Sequence, residues 1–193
     1  MKPYSQCRSW HNIRYAHQID RISCDGFMST KSNAFAMGCP ECGAAVPQGR
    51  EACQKLFDEV LAREFGDYRY ARMHRLTVDV YALQHPAEYM RSAKSYAAHL
   101  TGMYAALETR GTAEINRAVQ QWLNGSKVFP RPDNPAPRQR GVLTIVHVHE
   151  AAEPEDHLRR VHEWARSAWE AWRAYHQLAA EWVKLATANR RPF

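Results

Sequence analysis

The sequence predicts an all-α protein: a four- to five-helix bundle with an N-terminal cysteine knuckle and a long C-terminal helix. Three observations carry this. Apolar side chains recur at helical spacing through most of residues 48–188. Proline and glycine fall between the periodic stretches rather than inside them. And residues 74–86, HRLTVDVYALQHP, read as a helix covered on two sides. At about 100° per residue, Met73, Leu76, Val80 and Leu83 share one side, and Tyr70, His74, Thr77, Val78, Tyr81 and His85 lie nearly opposite. Only a narrow strip with Arg72, Arg75, Asp79 and Ala82 is left for water, which is the pattern of a central bundle helix.

Residues 1–37 show no sustained period and are expected to form a poorly ordered arm, in which Met28 and Met37 offer alternative natural starts. The helical domain then spans 38–193. It opens on a tight turn, Cys39-Pro-Glu-Cys42-Gly43, in a knuckle region 39–53. A first helix is expected over about 48–64, with Leu56, Val60 and Leu61 inward, ending near Gly66. A second runs over about 68–84 and stops before Pro86, whose ring disfavours a helical residue ahead of it. A third covers about 87–109, with Tyr89, Ser92, Tyr96, His99, Met103 and Leu107 on one stripe and Gly111 as terminator.

A fourth helix is expected over about 112–123. The stretch 129–137 holds four prolines and cannot be regular, so 126–141 is a Pro-rich crossover. Residues 142–150, VLTIVHVHE, alternate as a strand would, while Thr144 as an N-cap permits a short helix. A lone strand would have no partner, so a helix is expected. The last and longest helix covers about 154–188, with Pro154 in its first turn and an arc that includes Val161, Trp164, Ala168, Trp169, Trp172 and Trp182.

Length and charge bound the partners. The 193 residues suffice for one domain with a real core. No apolar run approaches the roughly 20 residues needed to span a bilayer, and the N-terminus lacks a signal-peptide core, which places the chain in the cytoplasm, off the membrane. The net charge of +6 raises the question of nucleic acid. However, residues 1–37 and 126–141 each carry +3, and the rest balances at seventeen basic against seventeen acidic side chains. A basic arm and a basic loop on a neutral body argue against groove recognition. A small molecule, a protein or a second copy of the chain remain as partner classes.

Five cysteines, an odd number, point to free thiols or metal rather than a disulfide framework. In the knuckle, two thiolates two residues apart can reach one tetrahedral ion, and Gly43 permits the turn. Cys53, in the first helix, is the expected third ligand, and His74 or His99 the expected fourth, with Cys24 or water as alternatives. Zinc suits a sulfur-rich set. A protein-filled fourth place would make the metal structural, and water there would make it catalytic.

Spacing limits the histidines. His74 and His85 are about 20° apart around the helix but roughly 16 Å apart along it, so they cannot share an ion. His162 and His176 are likewise aligned yet roughly 21 Å apart. A histidine site must therefore draw one donor from each of several helices, with His157 a further candidate. Three such histidines are the arrangement of the DinB-like metal-dependent bundles, to which this outline is similar. His147 and His149 could chelate only if extended. Asp79 stands about 140° from His74 and about 120° from His85, so pairing with Arg75 four residues earlier is its expected role.

The motifs CPECG at 39–43, Cys53, HRLTVDVYALQHP, AAHL around His99, RGVLTI at 140–145 and EDHLRRVHEWARSAWEAWRAYH resemble, in order, a bacterial family described as domain of unknown function fifty-nine forty-six. The resemblance covers about residues 38–183. His147 and His149 depart from its pattern, and it implies no established activity.

Three readings follow. The leading one is a zinc-binding helical bundle whose metal is mainly structural, serving a binding or regulatory role. The second is a small metal-dependent hydrolase or transferase, with His85, Asp79, His162 or His176 as catalytic candidates. The third is a thiol redox module in which Cys39 and Cys42 form a reversible disulfide.

Overall fold

The computed structural model describes residues 38–109, 111–125 and 128–188. The expected arm at 1–37, with Cys24 and the alternative starts, lies outside them. Among the described residues the chain is helical and contains no strand. α1 spans Arg50–Gly66, α2 Tyr68–Ala71, α3 His74–Gln84, α4 Pro86–Tyr89, α5 Ala93–Glu108, α6 Ala113–Asn124, α7 Ile145–His149, α8 Pro154–Ala171 and α9 His176–Ala188. No described helix is long and apolar enough to cross a membrane.

α3 is the middle of the bundle, packing on α5, α8 and α1, while α5 also meets α6 and α9. Eight of its side chains, Leu76, Thr77 and every residue from Asp79 to Gln84, are buried. The strip expected to face water is therefore half wrong: Arg72 and Arg75 are exposed, but Asp79 and Ala82 are buried, Asp79 against α5. Gly102 of α5 explains how. A Cβ there would sit 2.8 Å from Asp79 Cγ, so the missing side chain is what admits the carboxylate. Once inside, Asp79 accepts hydrogen bonds from Arg75 Nε at 2.7 Å and His99 Nδ1 at 2.8 Å.

Three helices expected to be continuous are broken. Residues 68–84 divide at Arg72 and Met73 into α2 and α3. The 87–109 helix divides before Ser92, which caps α5 in a reciprocal box with Ser95. The long C-terminal helix breaks after Ala171 into a single 3-10 turn, Arg173–Tyr175, before α9. At that break His176 Nε2–H donates to the Trp169 carbonyl at 2.9 Å, occupying an acceptor of the helical ladder. Its ring also stacks on Trp169, centroids 4.0 Å apart. The short helix α7 forms where the alternating sequence also allowed a strand, with Thr144 as its N-cap.

Buried polar groups hold the crossover against this core. Gln84 Nε2 donates to the Arg140 and Leu143 carbonyls at 2.9 and 2.8 Å, and Gln84 Oε1 accepts from Trp164 Nε1 at 2.9 Å. Gly141, at φ +104°, passes so close to α8 that a Cβ would lie 2.9 Å from the Ala168 backbone. Ser167 Oγ accepts from the Val142 and Leu143 amides. Further along, Phe129 packs edge-on to Trp122 and Trp182 with centroids 5.0 and 5.9 Å away.

Candidate metal centre

The knuckle is a self-bonded turn. Gly43 N donates to Cys39 O and Cys39 N to Ala44 O, each at 2.9 Å. Gly43 takes φ +81°, a left-handed conformation that strains any residue with a Cβ. Cys39 and Cys42 thus point the same way, and the Ala44 amide donates to Cys42 Sγ at 3.4 Å. Cys53 reaches them from the first turn of α1, where its amide bonds Gly49 O. His85 joins them from the end of α3. Pro86 ends α3 at this residue, and His85 N donates back to the Tyr81 and Ala82 carbonyls.

One ligand atom from each of Cys39, Cys42, Cys53 and His85 lies within 4.8 Å of the others, and all four residues are buried. The His85 ring nitrogen Nε2 stands 3.5 Å from both Cys39 Sγ and Cys53 Sγ, and Cys42 Sγ is 3.7 Å from Cys53 Sγ. On the other edge of the ring, Nδ1 is 2.9 Å from the Tyr81 carbonyl oxygen. A carbonyl only accepts, so Nδ1 carries a proton, and Nε2 is the ring nitrogen turned to the sulfurs. A metal-binding imidazole is held in the same way by its outer-shell partner.

The thiols compete for one negative charge. Hydrogen bonds from Cys42 and then Cys53 hold Cys39 far below the usual thiol range. Cys42 is pushed far above that range by its bond to Cys39, then by Cys53 and by burial. Cys53 is pushed up to about 12, by its bond to Cys39 first and also by burial. Three thiolates together need a cation among them, and a divalent ion supplies it. Three free thiols and a correctly presented imidazole are therefore a donor set that fits such an ion.

The other candidates lie elsewhere. His74, expected as a fourth ligand, donates through Nδ1 to Glu64 Oε2, 3.2 Å away. His99, the alternative fourth ligand, faces Asp79. In the cluster their expected place is held by His85, a catalytic candidate of the hydrolase or transferase reading. His157 is buried, with Nε2 3.0 Å from Glu64 Oε1. His162 is exposed, and His176 serves the break before α9. His147 and His149 are helical rather than extended: His147 Nδ1 accepts from the Thr144 amide, and His149 Nε2 is 2.7 Å from Glu59. No three-histidine site on separate helices forms among the described residues.

Glu64 is absent from the sequence candidates, yet its carboxylate is fully buried among His74, His157 and the Thr77 hydroxyl. Its signal was present, because Cys53, Phe57, Val60 and Glu64 form one buried stripe of α1 at helical intervals.

The fold and site together define an all-α protein with a buried Cys3His cluster able to hold a metal ion. The chain belongs to the family of unknown function DUF5946, which matches residues 37–173. No curated protein and no solved structure matches it.

Proposed function

We propose that the protein binds one zinc ion through Cys39, Cys42, Cys53 and His85, and that the ion is structural, joining the knuckle to the end of α3 in a binding or regulatory protein. The convergence of the four buried donors within 4.8 Å carries this reading. Zinc is the ion best matched to tetrahedral sulfur-rich ligation, and four protein donors complete its shell. Burial supports a structural role, since Cys39 and Cys53 are 0 % exposed and His85 is 1 % exposed. A reducing compartment such as the cytoplasm would keep the thiols free for metal.

A hydrolase or transferase reading needs a water-bearing metal and a base beside it. Of the groups nominated for that work, His85 is itself one of the four donors, while Asp79 is bonded to Arg75 and His99, His162 is exposed, and His176 is bonded to Trp169 O. Elemental analysis of protein purified without chelator tests the proposal. One zinc per chain is expected; metal-free protein overturns the proposal, and metal-free protein in which Cys39 and Cys42 form a reversible disulfide replaces it with the redox reading.

A further inference from the structure

One residue touches the cluster in three ways. The Tyr81 carbonyl accepts the His85 Nδ1 proton at 2.9 Å. Its ring lies between two others, stacked on His85 with centroids 3.9 Å apart and on Phe57 at 3.8 Å. Tyr89 closes the edge at 5.4 Å, so the ring is fixed and its hydroxyl is aimed. That hydroxyl lies 3.7 Å from Cys53 Sγ and 3.4 Å from Gln54 Oε1.

A hydroxyl has one proton to give, and here two acceptors compete for it. A neutral thiol is a weak acceptor. A metal-bound thiolate is a charged one, and charge-assisted hydrogen bonds are roughly twice as strong as neutral ones. Gln54 loses little either way, because its Oε1 also accepts from Tyr89 at 2.8 Å and its Nε2 donates to Asp58 at 2.9 Å.

Building on the zinc reading, we propose that Tyr81 is a positioning residue that donates its hydroxyl proton to the metal-bound Cys53 sulfur and returns it to Gln54 when the metal leaves. The bond draws charge from the sulfur, holds it in place and slows loss of the ion. Gln54 also lines an open surface pocket of about 650 Å³, together with Arg50, Lys55, Asp58 and Glu88. The state of a fully buried centre thus reaches a surface cavity through one hydrogen bond.

Cobalt(II) loading of the full chain tests this, since cobalt reports thiolate ligation by near-ultraviolet charge-transfer bands. Tyr81→Phe keeps both ring stacks and the carbonyl. Its bands should move to lower energy, and its cobalt affinity should fall roughly tenfold to a hundredfold, the usual cost of losing an outer-shell partner. Gln54→Leu leaves the hydroxyl only the sulfur, so its bands should stay or move to higher energy and its metal should be held at least as tightly. Unchanged bands and affinity in Tyr81→Phe overturn the proposal. Should that variant lose its helical circular dichroism, Gln54→Leu decides alone, and lower-energy bands with weaker binding in it overturn the proposal. Wild-type protein that shows no charge-transfer bands defeats the metal reading itself, and this proposal with it.

Discussion

Arg140 and Glu41 form a buried ion pair across 99 residues of chain, with Nη1 and Oε2 3.1 Å apart. Arg140 also donates to Gln84 O at 3.1 Å and Pro135 O at 3.0 Å, and Glu41 pairs with Arg50 at 2.6 Å. Glu41, one of the two residues between the knuckle cysteines, is therefore tied to the crossover and to α1, and through Arg140 to the end of α3. Arg140→Met leaves Glu41 with one partly exposed cation and strips the Gln84 and Pro135 carbonyls of a donor. Breaking a buried pair costs about 3–5 kcal/mol. Urea unfolding should show a loss of that order, and a change under 1 kcal/mol would mean that the pair is not a clamp.

Gly102 is the opening through which Asp79 enters the interface of α3 and α5. Gly102→Ala adds helix propensity but drives a methyl group into the carboxylate. Overpacking costs about 1–3 kcal/mol, more than the ~1 kcal/mol gained from propensity. A lowered melting temperature is expected. Combining it with Asp79→Ala, which clears the space, should give a double mutant less destabilised than the sum of the two changes.

The metal reading separates the histidines sharply. His85→Ala removes a ligand and should lower zinc affinity by at least the roughly tenfold that losing a mere outer-shell partner costs. His74→Ala and His99→Ala should leave zinc content at one per chain. Competition with a chromophoric chelator measures all three, and loss of metal from the His99 variant alone would show the wrong histidine has been assigned.

Removing the ion should weaken the fold, since a ligand bound only by the native state stabilises it by mass action. Chelator treatment is expected to lower the thermal midpoint, and stoichiometric zinc to restore it. A midpoint indifferent to both would contradict a structural ion.

Glu64 gives an independent measure of the bundle away from the thiols. Its carboxylate accepts from the Thr77 hydroxyl at 2.5 Å and faces both His74 and His157. Glu64→Leu leaves those partners unsatisfied, which costs about 1–3 kcal/mol. Calorimetry should register the loss without any change in zinc content.

Much of this bundle was legible in the chain because helical period, proline and capping residues act locally. Pro86 marked the end of α3, and Thr144 marked the start of α7. The knuckle and Cys53 were legible for the same reason. What escaped depends on contacts distant in sequence. The wheel placed Asp79 at the surface because Gly102, which hollows out a place for it, belongs to another helix. That His85 rather than His74 or His99 meets the cysteines depends on the path of 39–53 across the bundle, which no local pattern sets. The break at Trp172 hides in an unbroken amphipathic pattern, since it is the ring of His176 that takes the Trp169 carbonyl.

The spacing of the four donors has a further meaning for how the protein assembles. Three of them occur within fifteen consecutive residues, while His85 follows Cys39 at a distance of 46. The sulfurs can gather by closing short loops, whereas the imidazole arrives only when α3 has docked, a later and costlier event. Capture of an ion would precede completion of its shell. The last bond to form would then be the one that reports a finished fold.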